Sequence, residues 1–329
     1  MLVLARPDLE KLLAPRDVID ALAAAFRRHA AKLTHVPARS VLPVTDDGVL
    51  LLMPALARAD TAGAAPTAGA KLVTYYANNR ARGVPTIHGT YVLLDGATGC
   101  PLALMEGTYI TGLRTGATSA LAAEHLARPD AGRVVCFGAG VQAAFQLRCL
   151  AAVRPLRRVD VVGRDPARAL GFAEAMRAEL GVTVELAADV RAALREADLV
   201  TCATTSTSPV VTGTDLRAGA HVDAVGAFRP DAREVDTETV RRARVVVDTY
   251  AGALDEAGDV LIPMREGALT RDRIAAELAE LVTGAKPGRR SAEDITFFKS
   301  VGFALEDLAT AELAYRLARA RGTGTEVAL

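Results

Sequence analysis

The chain has 329 residues, half of them hydrophobic and 24% charged, and its 39 lysines and arginines balance 39 aspartates and glutamates to a formal net charge of zero. A chain of this length exceeds one comfortable core and is expected to divide into two domains, while the balanced charge leaves no footprint for nucleic acid or an anionic membrane surface. Cys100, Cys136, Cys149 and Cys202 lie far apart, which predicts neither a disulfide framework nor a metal site; no apolar run reaches the length of a membrane span, and a cytoplasmic enzyme is the expectation.

In chain order, the sequence predicts a helix over residues 15–33, then β-leaning segments at 41–43, 49–54, 69–75 and 90–95, separated by Gly, Pro and Asn. Asp46-Asp47-Gly48 signals a hairpin between the first two. The Ala/Gly-rich piece 62–70 is too short to link two domains. This run reads as a mostly antiparallel α+β domain, with residues 111–126 a helix leading out of it.

The next stretch is the most informative. Arg133-Val134-Val135-Cys136-Phe137 is a short apolar strand that runs into Gly138-Ala139-Gly140-Val141-Gln142-Ala143 and then a helix over 143–153. Gly-x-Gly-x-x-Ala between strand and helix is a dinucleotide-binding turn. The first glycine permits the tight turn, the second lets backbone approach a pyrophosphate, and the small third residue lets helix and strand pack closely. Free N–H groups at the helix N-terminus then meet the phosphates.

From there strands and helices alternate, with strands at 134–137, 159–162, 182–186, 199–203, 221–225 and 245–248 and a helix at 166–180. Such alternation implies parallel βαβ units. The expected fold is α/β: a Rossmann-type doubly wound sheet in residues 127–303, plus the α+β domain in residues 1–126 with 304–329, to which an amphipathic helix at 304–321 returns.

The second strand of the sheet ends Val162-Gly163-Arg164-Asp165-Pro166. An acid there takes the ribose hydroxyls of NAD, and an arginine accommodates the 2′-phosphate of NADP. Asp165 is explained as an N-cap with Pro166 at the first helical position, so Arg164 is the candidate phosphate ligand, favouring NADPH with NADH possible. A solvated arginine at a helix start is the alternative. Thr204 and Thr205, after the fourth strand, read equally as crevice residues or as turn formers.

The remaining motifs are Pro37-Ala38-Arg39-Ser40-Val41-Leu42-Pro43, Gly69-Ala70-Lys71-Leu72-Val73-Thr74, Gly83-Val84-Pro85-Thr86-Ile87-His88, Met105-Glu106-Gly107 and Gly112-Leu113-Arg114-Thr115-Gly116-Ala117. Further on come residues 224–236 (AVGAFRPDAREVD) and Phe298-Lys299-Ser300-Val301-Gly302 with Glu306-Asp307-Leu308. In order and wording, and over nearly the whole chain, these resemble the ornithine cyclodeaminase/mu-crystallin family. The resemblance implies a homodimer whose N-terminal half and C-terminal helix form a substrate-binding and dimerisation domain, with the active site between the domains. It implies Arg39 and Arg114 as a clamp on the substrate carboxylate and Lys71 as the polar group beside the reacting carbon and nitrogen. Thr86, Thr115, Val141, Gln142, Arg164, Thr204, Val225, Arg229 and Ser300 are the implied cofactor contacts, beside Gly138 and Gly140.

Arginine suits such a clamp because its planar fork binds a carboxylate through two parallel hydrogen bonds. A lysine between two arginines and a cationic nicotinamide is expected to have its pKa lowered by like charge. Taken without the resemblance, Lys71 reads as a surface residue on a strand and Arg39 as a solvated loop arginine. One departure is informative: where the cyclodeaminases carry an aspartate, with a lysine four positions on, this chain has Phe228 and Ala232. A benzyl group exchanges no proton, so cyclodeamination is disfavoured unless Asp231 or another acid substitutes. The segment resembles the reductase-type branch instead. The expected activity is NADPH-preferring reduction of a small cyclic 2-imino acid, such as a pyrroline- or piperideine-2-carboxylate. The alternatives are an ornithine or lysine cyclodeaminase, an alanine dehydrogenase-like enzyme, and a crystallin-like NADPH- or ligand-binding protein without turnover.

Overall fold

The computed structural model describes residues 1–59 and 65–328, and the backbone alone of Arg80. The first residues of the Ala/Gly-rich piece at 62–70 thus lie outside the described residues. The chain forms two compact units, Met1–Arg114 with Phe303–Leu329, and Thr115–Gly302.

The first unit is built on an eight-stranded sheet. Its centre is an antiparallel run of Ser40–Thr45, Gly48–Ala57, Thr67–Tyr76, Ile87–Asp95 and Pro101–Glu106. Asp46-Asp47 is the two-residue turn of the first hairpin, with Thr45 paired to Gly48 as the sequence suggests. Directly paired residues share a face. Met53, Lys71, Tyr91 and Met105 form one such row, and all four are buried.

Two helices belong to the buried face. Pro15–Ala30 presents Val18, Ile19, Leu22, Ala25 and Phe26, and Ala304–Arg321 follows Phe303, whose ring stacks on Phe26 at 6.3 Å. The C-terminal helix spans the expected residues, yet its first eight residues, 304–311, are all buried. That end is enclosed on every side rather than amphipathic. Leu2–Leu4 and Thr325–Glu326, too short for a periodic signal, complete one edge of the sheet.

The second unit carries a parallel sheet in the order Thr183–Leu186, Arg158–Val162, Arg133–Phe137, Leu199–Cys202, His221–Ala224, Ile295–Lys299, Ala243–Val247, Ile274–Glu277. Strand order reverses between Arg133–Phe137 and Leu199–Cys202, the switch point where open α/β sheets take their ligands. Val134 and Cys136 pack into a cluster with Ala143, Leu147, Val159 and Ala173. Val135 and Phe137 pack into another with Val200, Val222 and Phe297. Burial on both faces is what continuous apolar strands of this kind require. Ile274–Glu277 and Ile295–Lys299 are two strands that the periodicity does not mark.

The unit boundary falls inside a single helix, Gly107–Leu126, at Arg114/Thr115 rather than after residue 126. Ala123, inside that helix, belongs to the core of the second unit.

Candidate functional site

In the second unit the glycine-rich turn adopts a backbone that calls for glycine at its first position. Gly138 has φ +110°, and a Cβ there would stand 2.4 Å from the Ala203 carbonyl oxygen. Its N–H donates to the Val162 carbonyl at 2.9 Å. Gly140 is the N-cap of Val141–Ala151 and supplies no capping side chain, whereas Asp165, Asp189, Asp236 and Thr249 each cap their own helices. Around Gly140 the space is open: among the described residues, the nearest side-chain atom to an added Cβ is Arg168 Nη2 at 3.7 Å. Val141 is 66% exposed, Gln142 is partly buried, and Ala143 is fully buried against the strand. An uncapped helix end behind an open glycine fits a pyrophosphate.

Asp165 accepts from the Arg168 N–H at 3.1 Å, as an N-cap should. Arg164 is exposed and donates through Nη2 to Thr205 Oγ1 at 3.1 Å, in the loop that follows a strand two places away. Arg168, which the sequence does not single out, donates through Nε to the Ala139 carbonyl at 3.1 Å. One guanidinium group, that of Arg168, therefore stands at the glycine-rich turn, while that of Arg164 reaches the loop after the fourth strand.

The loops on the far side of the switch point hang on one buried carboxylate. Glu234 Oε1 accepts from Thr204 N–H at 2.7 Å and Thr204 Oγ1 at 2.8 Å, and Oε2 accepts from Gly226 N–H at 2.7 Å and Ala227 N–H at 3.2 Å. Burial raises the Glu234 pKa, with Lys299 opposing. Lys299, fully buried, pairs with Asp259 at 2.8 Å and donates to the Ala227 carbonyl at 2.5 Å. Asp259 Oδ1 in turn accepts from the N–H groups of Glu234 and Val235. Thr204 Oγ1 also accepts from Ser206 N–H at 3.1 Å, which favours the turn-forming reading for its side chain. Glu234 and Asp259 escape sequence reasoning because an acid in a loop reads as solvated and one in a helix's first turn is explained by the helix dipole.

Val225 donates its N–H to the Cys202 carbonyl at 3.0 Å. Thr115 is buried. Ser300 is buried too, and its hydroxyl donates to Asp248 Oδ2 at 2.8 Å, the oxygen that also accepts from the N–H groups of Val301 and Gly302. Phe228 is 38% exposed. Arg229 and Asp231, both exposed, pair at 2.5 Å, and the Arg229 hydrogen bond lowers the Asp231 pKa. Asp231 is thereby held as a carboxylate beside a guanidinium, a poor replacement for a proton-exchanging acid.

The substrate candidates lie in the first unit, as does Thr86, whose carbonyl accepts from Tyr76 N–H at 2.9 Å. Lys71 is not the surface residue that its strand position suggests: it is 1% exposed, and its Nζ is 2.8 Å from both oxygens of Asp307. Glu106 accepts from the N–H groups of Thr108 and Tyr109 at 2.8 and 2.7 Å and so caps the helix that carries Arg114. Arg114 Nε donates to Asp307 Oδ1 at 3.1 Å, and Nη1 to Glu306 Oε2 at 2.6 Å. Arg39, partly buried, precedes Ser40, which pairs with Leu52; the next residue, Met53, pairs with Lys71. Arg39 thus stands at the register row of Lys71, two strands away.

Burial is the leading cause that lowers the Lys71 pKa from 10.5 to about 8; Asp307 opposes it and Arg114 assists. Like charge, the expected cause, ranks behind burial. Burial opposes the charge on Arg114 as well, but Asp307 and Glu306 outweigh it and raise that pKa. Asp307 stays ionised because Arg114 and then Lys71 overcome its own burial. A buried amine that titrates near neutrality can exchange a proton at working pH. Glu306 and Asp307 were missed as partners because adjacent acids in a helix's first turn are sufficiently explained by the helix dipole.

Among the described residues no group of His, Cys, Asp and Glu could hold a metal, and no helix is long and apolar enough to cross a membrane. Cys136, Cys149 and Cys202 are buried thiols and Cys100 is exposed.

The chain resembles known proteins over its full length. The Thermococcus litoralis Delta(1)-pyrroline-2-carboxylate reductase, in complex with NADH and L-proline, is 42% identical, with a TM-score of 0.94 over 99% of this chain and 100% of that one. An archaeal alanine dehydrogenase dimer with bound NAD is 31% identical, with a TM-score of 0.90 over 100% of this chain and 99% of that one. A Delta(1)-pyrroline-2-carboxylate reductase of Bacillus cereus is 37% identical over 99% of both chains. Residues 1–322 match the model of one family, and with these relatives the chain belongs to the ornithine cyclodeaminase/mu-crystallin family.

Proposed function

We propose that this chain is an NAD(P)H-dependent reductase of a small cyclic 2-imino acid, with Δ1-pyrroline-2-carboxylate and Δ1-piperideine-2-carboxylate as the substrate class. The observation that carries the reading is Lys71, a buried amine with a pKa of about 8, beside Arg114 in one unit, while the other unit holds an open dinucleotide turn. The full-length likeness to a reductase that binds NADH and L-proline supports it. Gly138, Gly140, Val141 and Gln142 would hold the pyrophosphate. NAD(P)H held there would supply the hydride for reduction of the C=N bond. Arg39 and Arg114 orient the carboxylate, and Lys71 delivers a proton to the imine nitrogen. Phe228 and the paired Asp231 leave no acid suited to cyclodeamination at that point.

Arg164 is the basis for a preference for NADPH over NADH, with Arg168 a second cation, at the glycine-rich turn. A homodimer is proposed from the face of the first unit's sheet opposite Lys71. Leu42, Leu52 and Leu72 are 59%, 40% and 41% exposed there, and Leu52 pairs directly with Leu72. A sheet with one covered face normally turns polar residues outward, and an apolar outer face calls for a partner.

The test is NADPH oxidation by the purified protein with each cyclic imine and with pyruvate plus ammonia, beside an NADH series. Turnover with a cyclic imine is expected. Turnover only with pyruvate and ammonia, or ammonia release from ornithine or lysine without net reduction, would refute the reading.

A further inference from the structure

The titratable groups around Lys71 come from three separate stretches of chain. Asp307 and Glu306 stand on Ala304–Arg321, Arg114 on Gly107–Leu126, and Tyr91 on the neighbouring strand Ile87–Asp95. Met53, from the strand on the other side, pairs with Lys71 and brings no charge. Tyr91 stays a neutral phenol, since burial, then Asp307 and Glu312, push its pKa well above the ordinary value. Two cations therefore face two carboxylates in a buried cluster, with Lys71, Glu306 and Asp307 all at 1% exposure or less.

Within this quartet the two acids do different work. Glu306 pairs with Arg114 at 2.6 Å. Asp307 brings both oxygens to 2.8 Å from Lys71 Nζ while one of them also accepts from Arg114. Burial and the like charge of Arg114 both favour neutral Lys71; only the carboxylates oppose them, and Asp307 is the one in contact.

We propose that Asp307 is the positioning residue of Lys71: it fixes the ammonium in place and keeps it charged, and so sets the pH above which proton delivery to the imine nitrogen fails. This rests on the reading of Lys71 as proton donor. In the step itself a Lys71 N–H bond breaks and an imine N–H bond forms, while the electron pair that forms the new C–H bond arrives with the hydride of NAD(P)H. Lys71 is left as a neutral amine and regains a proton from water. Asp307 keeps its charge throughout.

Asp307→Asn removes the charge with little change in shape. The basic limb of the kcat/KM profile, near pH 8 in the wild type, is expected to move down by roughly one to three units, the usual effect of an opposite charge in contact. Glu306→Gln should move it much less. Asp307→Glu, which keeps the charge but displaces it, should retain the limb and lower kcat with KM unchanged.

The same shift can be read without substrate, by thermal unfolding against pH. Lys71 has a lower pKa folded than unfolded, so the unfolded chain holds more protons between about pH 8 and 10.5, and stability rises with pH across that window. In Asp307→Asn the rise should begin below pH 8. A wild type that reduces no imino acid refutes the functional reading and leaves the unfolding comparison to decide this one. A limb and an unfolding window both unmoved in Asp307→Asn would overturn the proposal. Should that variant fail to fold, Asp307→Glu with wild-type kcat would overturn it equally.

Discussion

Gly140→Ala separates the folding role of the glycine-rich turn from its binding role. Gly140 has φ −119° and ψ −175°, an extended conformation open to alanine. The nearest atom to its added methyl is the flexible end of Arg168 at 3.7 Å, an ordinary contact. Stability should therefore hold or rise, by up to about 1 kcal/mol from the stiffer unfolded chain. The methyl would nevertheless occupy the approach to the helix N-terminus that a pyrophosphate needs. Losing one charge-assisted hydrogen bond costs about 1.5–3 kcal/mol, which weakens NADPH binding roughly ten- to hundredfold. Gly138→Ala is the contrast: its φ of +110° and the 2.4 Å approach to the Ala203 carbonyl both penalise a side chain. Strained backbone of this kind costs about 1–3 kcal/mol, or roughly 2–12 °C in Tm for a unit of this size. Cofactor fluorescence titration and thermal unfolding, run on both variants, give the two readings. Wild-type NADPH affinity in Gly140→Ala would refute the assignment of the turn.

Arg39→Ala is expected to raise KM for the imino acid at least tenfold with kcat little changed, and steady-state kinetics with an unaltered KM would remove Arg39 from the clamp. Arg164→Ala should narrow the ratio of NADPH to NADH affinity about tenfold, and a constant ratio would leave the arginine a surface residue tethered to Thr205. On the outer sheet face, Leu52→Lys together with Leu72→Lys should convert a dimer to monomers in light scattering with the secondary structure intact; a wild type that is itself monomeric would end that reading.

Much of the molecule was legible in the chain because its signals are local. The turn at Gly138 and Gly140, the N-cap at Asp165 and the hairpin at Asp46-Asp47 each depend on the conformations open to a few consecutive residues, and helices such as Pro166–Leu180 follow from caps and periodicity. Short edge strands such as Leu2–Leu4 left no trace, since two or three residues cannot express a period. Residue resemblance pointed to Lys71 and Arg114, but not to what surrounds them.

The tertiary structure alone decided the state of the site. Lys71 and Asp307 are 236 positions apart, and Thr204 and Glu234 are 30 apart; no local rule relates either pair. A lysine on a strand and an aspartate at a helix start are ordinary solvated residues until packing removes the water between them. Once it is removed, Arg114 and Lys71 sustain the Asp307 charge while Asp307 offsets only part of the burial cost of Lys71, and the pKa that results belongs to the fold rather than to either residue.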